Sequence, residues 1–223
     1  MHIIDCSHVL MESVPVWPGD PVLKMTACAD MKDGFAMNSL FFAEHTGTHL
    51  GMPAHFIAKG RTLDQLPVSY LIRPVVCICA LNYPVFFKAF KLTPDMILDW
   101  EQKNGGIPAE SVVLVHTGWD RYWHSQYMGI GAHPMLPGIS MQAAELFIRR
   151  NIRGIGIDSP DIGGGESDFA VDRFIAQHDV FHLENLTRLD ELTNKGYTLM
   201  IGALSVKGGT GIPCRVLAVS SLA

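Results

Sequence analysis

The 223-residue chain is short of charge: Asp, Glu, Lys and Arg make up 17% of it, in a sequence that is 48% hydrophobic. Basic residues are the scarcer class, 17 Lys and Arg against 22 Asp and Glu, for a formal net charge of −5. The two signs are mixed along the chain, which excludes a basic footprint for nucleic acid and a polybasic patch for anionic lipid. No apolar run approaches the roughly 18 residues that a membrane span needs. The opening "MHIIDCSHVLMESV" lacks the charged-then-apolar layout of a signal peptide. There is no CxxC pair, and the cysteines (Cys6, Cys28, Cys77, Cys79 and Cys214) are odd in number. They read as free thiols of a cytoplasmic protein, not as a disulfide framework. GxSxG is absent, and the Gly-rich "VKGGTGIP" lacks both the GxxxxGK[ST] order and the following helix of a phosphate loop. No repeat, low-complexity tract or linker divides the chain, so a single domain over residues 1–223 is expected. So little charge leaves less surface to keep wet than usual, which favours burial in a homo-oligomer.

What the sequence does have is a series of short apolar, β-branched runs: "PVVCICAL" (74–81), "SVVLVHTG" (111–118), "IRGIGID" (152–158), "YTLMIGAL" (197–204) and "CRVLAVS" (214–220). Bounded by Gly, Pro or Asn, they suit buried strands. Cys77 and Cys79 would share one face of the first. Helical stretches lie between. "TPDMILDWEQKNG" opens on Thr93 and Pro94 and stops at Gly105. "SMQAAELFIRRN" has Ser140 as its cap and Ala144, Phe147 and Ile148 on one face. "LENLTRLDELTNKG" (183–196) reads as a weaker third helix. Alternating strands and helices predict an α/β class with a mixed, partly parallel sheet core and flanking helices. The first 60 residues, with a turn at "VWPGDP", predict an antiparallel portion or an arm.

The run "EHTGTHLGMPAHF" (44–56) carries His45, His49 and His55. On a flat strand His45 and His49 would stand about 13 Å apart, too far for one metal. A shared cation therefore requires a turn between them, which Gly47 permits, with Thr46 and Thr48 to bond the freed backbone groups. A helical spacing is disfavoured by Gly and two Thr. Imidazole suits zinc, manganese and iron alike.

This run resembles the signature His-x-Gly-Thr-His-x-Asp-x-Pro-x-His-Phe of the cyclase family of metal-dependent hydrolases, which includes bacterial kynurenine formamidases and isatin hydrolases. It matches at His45, Gly47, Thr48, His49, Pro53, His55 and Phe56. "VHTGWDRYW" (115–123), "HPMLPGISMQAAELF" (133–147), "GIGIDSPD" (154–161), "LENL" (183–186) and "KGGTGIPCRVLA" (207–218) resemble further family blocks in family order. The resemblance implies a swivelling β/β/α fold and hydrolysis of a small amide or lactone by a metal-activated water. It implies a homodimer or homotetramer with an exchanged N-terminal segment. In the family the two signature histidines and the Asp hold one divalent cation. That Asp also reaches a second metal, completed by a Glu in the "LENL" block and a His twelve positions earlier. The last signature His is the proton acceptor.

Carried over, His45 and His49 are metal ligands, Glu184 a metal ligand and catalytic carboxylate, His55 the proton acceptor, and Trp17 a candidate substrate-stacking residue. Two positions depart: the signature Asp is Gly51, and Asp172 stands where the second-site His belongs. Losing the bridging carboxylate predicts at most one divalent ion, Zn or Mn. Asp172 is the first candidate to complete its ligand set and Glu184 the second. His178 and His182 are further candidates, read individually as surface or helix-end histidines, and His116 as a core or pocket-wall residue. The acidic loop "DIGGGESD" (161–168) is expected near the site. The alternative is a metal-poor member that binds a small molecule or runs a non-hydrolytic step, favoured by the space at Gly51.

Overall fold

Nine strands form one mixed sheet in the computed structural model, which describes residues 1–82, 90–123, 136–165, 168–192 and 196–220. Its centre is four parallel strands: β5 (Ile72–Cys79), β7 (Val112–His116), β9 (Gly154–Ile157) and β10 (Phe181–Glu184). Beyond β5, the antiparallel strands β11 (Tyr197–Gly202), β13 (Arg215–Ser220) and β1 (His2–Asp5) extend one wing. Beyond β10, β4 (His49–Gly51) and β12 (Gly211–Pro213), also antiparallel, form the other. A two-strand ladder of β6 (Lys91–Leu92) and β8 (Gly138–Ile139) lies apart from the sheet.

Residue alternation divides the interior in two. Val76, Ile78, Val113, Val115, Ile155 and Ile157 pack under α1 (Pro94–Asn104), α2 (Met141–Arg149) and α3 (Ala170–Gln177). Val75, Cys77, Val112 and Leu114 face the opposite way and join Leu50, Phe181, Leu183, Leu199 and Val216. Each fully buried aliphatic side chain contributes about 1.5–3 kcal/mol, so the central strands are held from both faces. The sequence "GIGI" of β9 serves this division: the isoleucines face the helices, while a Cβ at Gly154 would lie 2.2 Å from the Phe181 ring.

The expected mixed sheet, its five apolar strands and two of the helices are present. Ser140 caps α2 by accepting from the Ala143 N–H. Cys77 and Cys79 do share a face of β5, the first buried and the second half-buried. Residues 193–195 lie outside the described ones, and over the rest of 183–196 the expected third helix is not there. That segment ends β10 and turns, with Asn185 and Arg188 at φ of 55° and 56°, a left-handed conformation that breaks a helix. The real third helix, α3, contains Asp172. The antiparallel arm expected near the N-terminus is the hairpin of β2 (Lys24–Ala29) and β3 (Met37–Phe41), which leaves Met25, Met37, Leu40 and Phe41 each more than half exposed. Parts of the 133–147 block and of the 161–168 loop lie outside the described residues. Among the described residues no helix is long and apolar enough to cross a membrane.

Candidate metal centre

The chain turns between His45 and His49, at Gly47 with φ 64°, and brings the two rings edge to face at 4.8 Å between centroids. Thr48 does not close the turn locally as expected. Its hydroxyl donates to the Asn185 carbonyl oxygen at 2.6 Å and accepts from the His8 N–H, tying the run to a distant segment. The Asn185 side chain donates to the Gly47 carbonyl oxygen. His49 donates Nδ1–H to that same carbonyl at 2.9 Å, so its Nε2 carries the lone pair and faces the pocket. A histidine oriented by a backbone carbonyl in this way is the usual form of a metal ligand.

Strand pairing supplies a third imidazole. In the β4–β10 ladder His182 lies opposite Gly51 and Glu184 opposite His49. One ring nitrogen from each of His45, His49 and His182 falls within 4.8 Å of the others. His182 is thus no surface or helix-end histidine: it is 3% exposed, in a strand. Its ring fills the gap at Gly51, where a Cβ would sit 1.9 Å from His182 Nε2. Gly211, the partner of Gly51 in β12, makes the same room for His45, whose Cε1 would lie 2.6 Å from a Cβ there. Burial and the neighbouring imidazoles hold His45 and His182 far below the usual histidine range, and burial lowers His49 to about 4. All three are neutral at pH 7, as metal ligation requires.

The carboxylates stand beside this cluster. Glu184 brings Oε2 to 3.2 Å from His49 Nε2, yet neither His45 Nε2 nor His49 Nε2 has a hydrogen-bond partner. A carboxylate oxygen facing an imidazole lone pair is repulsive unless a proton or a cation lies between them. These orphaned nitrogens and their donor chemistry fit a divalent ion. Asp172, the first candidate for the third ligand, is placed elsewhere in the pocket, outside the three-nitrogen group, next to Asp161 and Glu184. Both its oxygens are buried with no complete hydrogen bond, although Gly163 and its own backbone face it. Burial first, then the charges of Asp161 and Glu184, push its carboxyl well above the ordinary range. Burial and Asp161 do the same to Glu184.

Around these groups lies a cavity of about 470 Å³, walled by Trp17, Phe56 and Phe169 and closed below by the histidines and acids. His55 stands at its mouth, exposed, 3.9 Å from the His45 ring. His178 is exposed at the end of α3, away from the pocket lining. His116 is buried at the end of β7, beside Cys79. His116, Asp120 and Asp158 also form a compact group. Asp158 there is saturated by the N–H groups of Thr117, Gly118 and Trp119 and the Thr117 hydroxyl, which marks a structural carboxylate. Sequence reasoning passed over Asp161, Phe169 and the place of His182. The signal for the last was present: read as a strand, "FHLE" puts His182 two residues from Glu184 and therefore on the same face.

Residues 4–163 match the model of the family described as "Putative cyclase". Isatin hydrolase of Roseibium aggregatum is 32% identical over 242 aligned residues, covering 98% of this chain and 92% of the relative. The chain belongs to the cyclase family. Kynurenine formamidase of Bacillus cereus is 23% identical, with 96% of this cyclase-family chain and 95% of the relative covered. Among solved structures, isatin hydrolase A from Labrenzia aggregata bound to benzyl benzoate superposes with a TM-score of 0.92 at 28% identity, over 99% of this chain and 94% of that one. An isatin hydrolase bound to the product analogue thioisatinate gives 0.90 at 28% identity, with 98% and 92% covered. The relatives are hydrolases, and this cyclase-family chain shares their fold over nearly its whole length.

Proposed function

We propose that this chain is a metal-dependent hydrolase that opens the carbon–nitrogen bond of a small aromatic amide, cyclic as in isatin or open as in a formamide. The observation that carries this reading is the imidazole cluster at the floor of an aromatic-walled cavity. A cavity of this size suits a ligand of one or two rings. Trp17, Phe56 and Phe169, in contact with one another through Phe169, would form one aromatic wall for the aryl ring and direct its carbonyl towards the histidines. A divalent cation held by His45 and His49 would polarise that carbonyl and lower the pKa of water towards about 7. His55, open to solvent at the mouth, would accept the water proton and pass it on. Glu184 and Asp172 would offset the cation's charge and hold a proton for the departing nitrogen. Water is added across the C–N bond, leaving a carboxylate and an amine.

The expected outcome for purified protein without a metal-binding tag is about one equivalent of Zn or Mn by mass spectrometry. It should hydrolyse isatin or N-formylkynurenine, lose activity to a chelator, and regain it on adding back the ion. Turnover that survives exhaustive chelation would defeat the reading. The rival reading is a metal-poor small-molecule binder, favoured by the loss of the signature Asp; the space at Gly51 on which it also drew is occupied by the His182 ring. We further propose that the chain forms a homodimer or homotetramer, with the apolar β2–β3 hairpin as the surface a second copy would cover. Light scattering should then give a multiple of the 24.5 kDa chain mass, and a mass of one chain would refute it.

A further inference from the structure

We infer that His182 is the third metal ligand, that Gly51 is glycine in order to admit it, and that the exchange makes the site an all-imidazole, zinc-selective one. The inference rests on the metal-dependent reading above and deepens it. The two positions are coupled by register: Gly51 and His182 are direct partners across β4 and β10. The coupling is also steric. A Cβ at residue 51 would lie 1.9, 2.2 and 2.6 Å from three atoms of the His182 ring, distances that no side chain can adopt. A side chain at 51 and an inward His182 are therefore mutually exclusive, and the ring fills the space in which a signature Asp would begin.

The surroundings fix the ring in that place. Leu183, between His182 and Glu184, is fully buried opposite Leu50. Turning His182 outward would demand a one-residue slip that exposes both leucines. Gly51 is paired on its other side with Gly211, so the row His182–Gly51–Gly211 across three strands carries one side chain, and the His45 ring lies over the second glycine. The sheet is bare beneath two of the three imidazoles, and their nitrogens converge within 4.8 Å. Ligand nitrogens around zinc sit about 2.0–2.1 Å from the metal, so a small inward movement of the rings closes the set.

The exchange has a chemical consequence. Replacing a carboxylate by an imidazole removes the hard oxygen that suits manganese and leaves three nitrogens that suit zinc. It also removes one negative charge from the ligand shell. Glu184, Asp172 and Asp161, all buried around the same cavity, then balance the cation from outside the three-nitrogen set.

The test is metal binding by apoprotein titrated with Zn²⁺, Mn²⁺ and Co²⁺, for wild type, His182→Ala, Gly51→Asp and the double variant G51D/H182A, with circular dichroism to verify folding. Wild type should bind one Zn²⁺ and prefer it to Mn²⁺. His182→Ala should weaken Zn²⁺ by more than the about 100-fold that disturbing an outer partner costs. Gly51→Asp alone should lose folded protein or metal. The double variant should recover one equivalent with the Zn²⁺ preference narrowed, and its Co²⁺ absorption should differ from wild type. If His182→Ala keeps wild-type Zn²⁺ affinity while His49→Ala loses it, His182 is no ligand and the metal-hydrolase reading still stands. If Gly51→Asp alone binds metal more tightly than wild type, the steric coupling is wrong. If wild type takes up no cation, both readings fall.

Discussion

Replacing His55 by alanine is expected to lower kcat by about 10²–10⁴-fold, the usual contribution of a positioned proton acceptor, while metal content stays at the wild-type value. His55 closes a short turn begun by Pro53, its backbone N–H bonded to the Met52 carbonyl oxygen at 2.9 Å. That turn sets the ring against His45 at 3.9 Å and Phe56 at 4.4 Å, facing solvent. Of the four clustered imidazoles it alone lies outside the converging nitrogens. It can exchange protons with bulk water without giving up a ligand. Truncating an exposed ring leaves no sealed cavity, so the melting temperature should hardly move. Single-turnover kinetics with metal analysis on the same sample separates the roles: lost metal would make His55 a ligand, and full activity would leave it no part in catalysis.

Asp158→Ala is expected to cost about 3–5 kcal/mol of stability, the scale for removing one member of a buried charged network. Asp158 is fully buried and receives three successive backbone N–H groups, from Thr117, Gly118 and Trp119, with the Gly118 bond at 2.6 Å. The Thr117 hydroxyl donates to it as well, also at 2.6 Å. Such a nest is a binding place for an anion, and without the carboxylate all four donors are stranded. The turn it pins begins with Trp119, which shares a buried cluster with Trp123, Val14 and Leu23, against which Trp17 packs, so the damage reaches the aromatic wall. Denaturant unfolding measures the loss. Asp158→Asn, which keeps the shape and one acceptor, should recover part of it, and equal stability of Asp158→Ala and wild type would refute the assignment.

The strands over residues 74–81, 111–118 and 197–204 and the helices around α1 and α2 were legible because their signals are local: apolar runs, caps and breakers within a dozen residues. The turn at Gly47 was legible for a similar reason, since two histidines four apart cannot share a cation along a flat strand, and Gly with two Thr disfavours the helix that would also bring them together. The segment 183–196 misled because Leu183, Leu186, Leu189 and Leu192 recur every three residues, as on a helix, and all four are indeed buried. What buries them is a strand end, an isolated bridge from Leu186 to Ser7 and a short turn, and no periodicity distinguishes these cases. His182 was misjudged for a deeper reason. Its role depends on lying opposite Gly51, and the register of two strands so remote in sequence is a tertiary fact. The missing Asp at position 51 was visible in the sequence; the ring that replaces it became visible only once the strands were paired.

The placement of β4 between β10 and β12 also bears on how the protein is made. Thr48 and Asn185, hydrogen-bonded side by side, are 137 residues apart in sequence. Synthesis runs from the N-terminus, so His45, His49 and His55 leave the ribosome as an open, Gly-rich peptide long before the chain that contains His182 exists. Closing so distant a pairing is slow, so the three histidines of the run stay apart from His182 until late in folding. The imidazole cluster is therefore complete only after β10 and β12 have paired with β4.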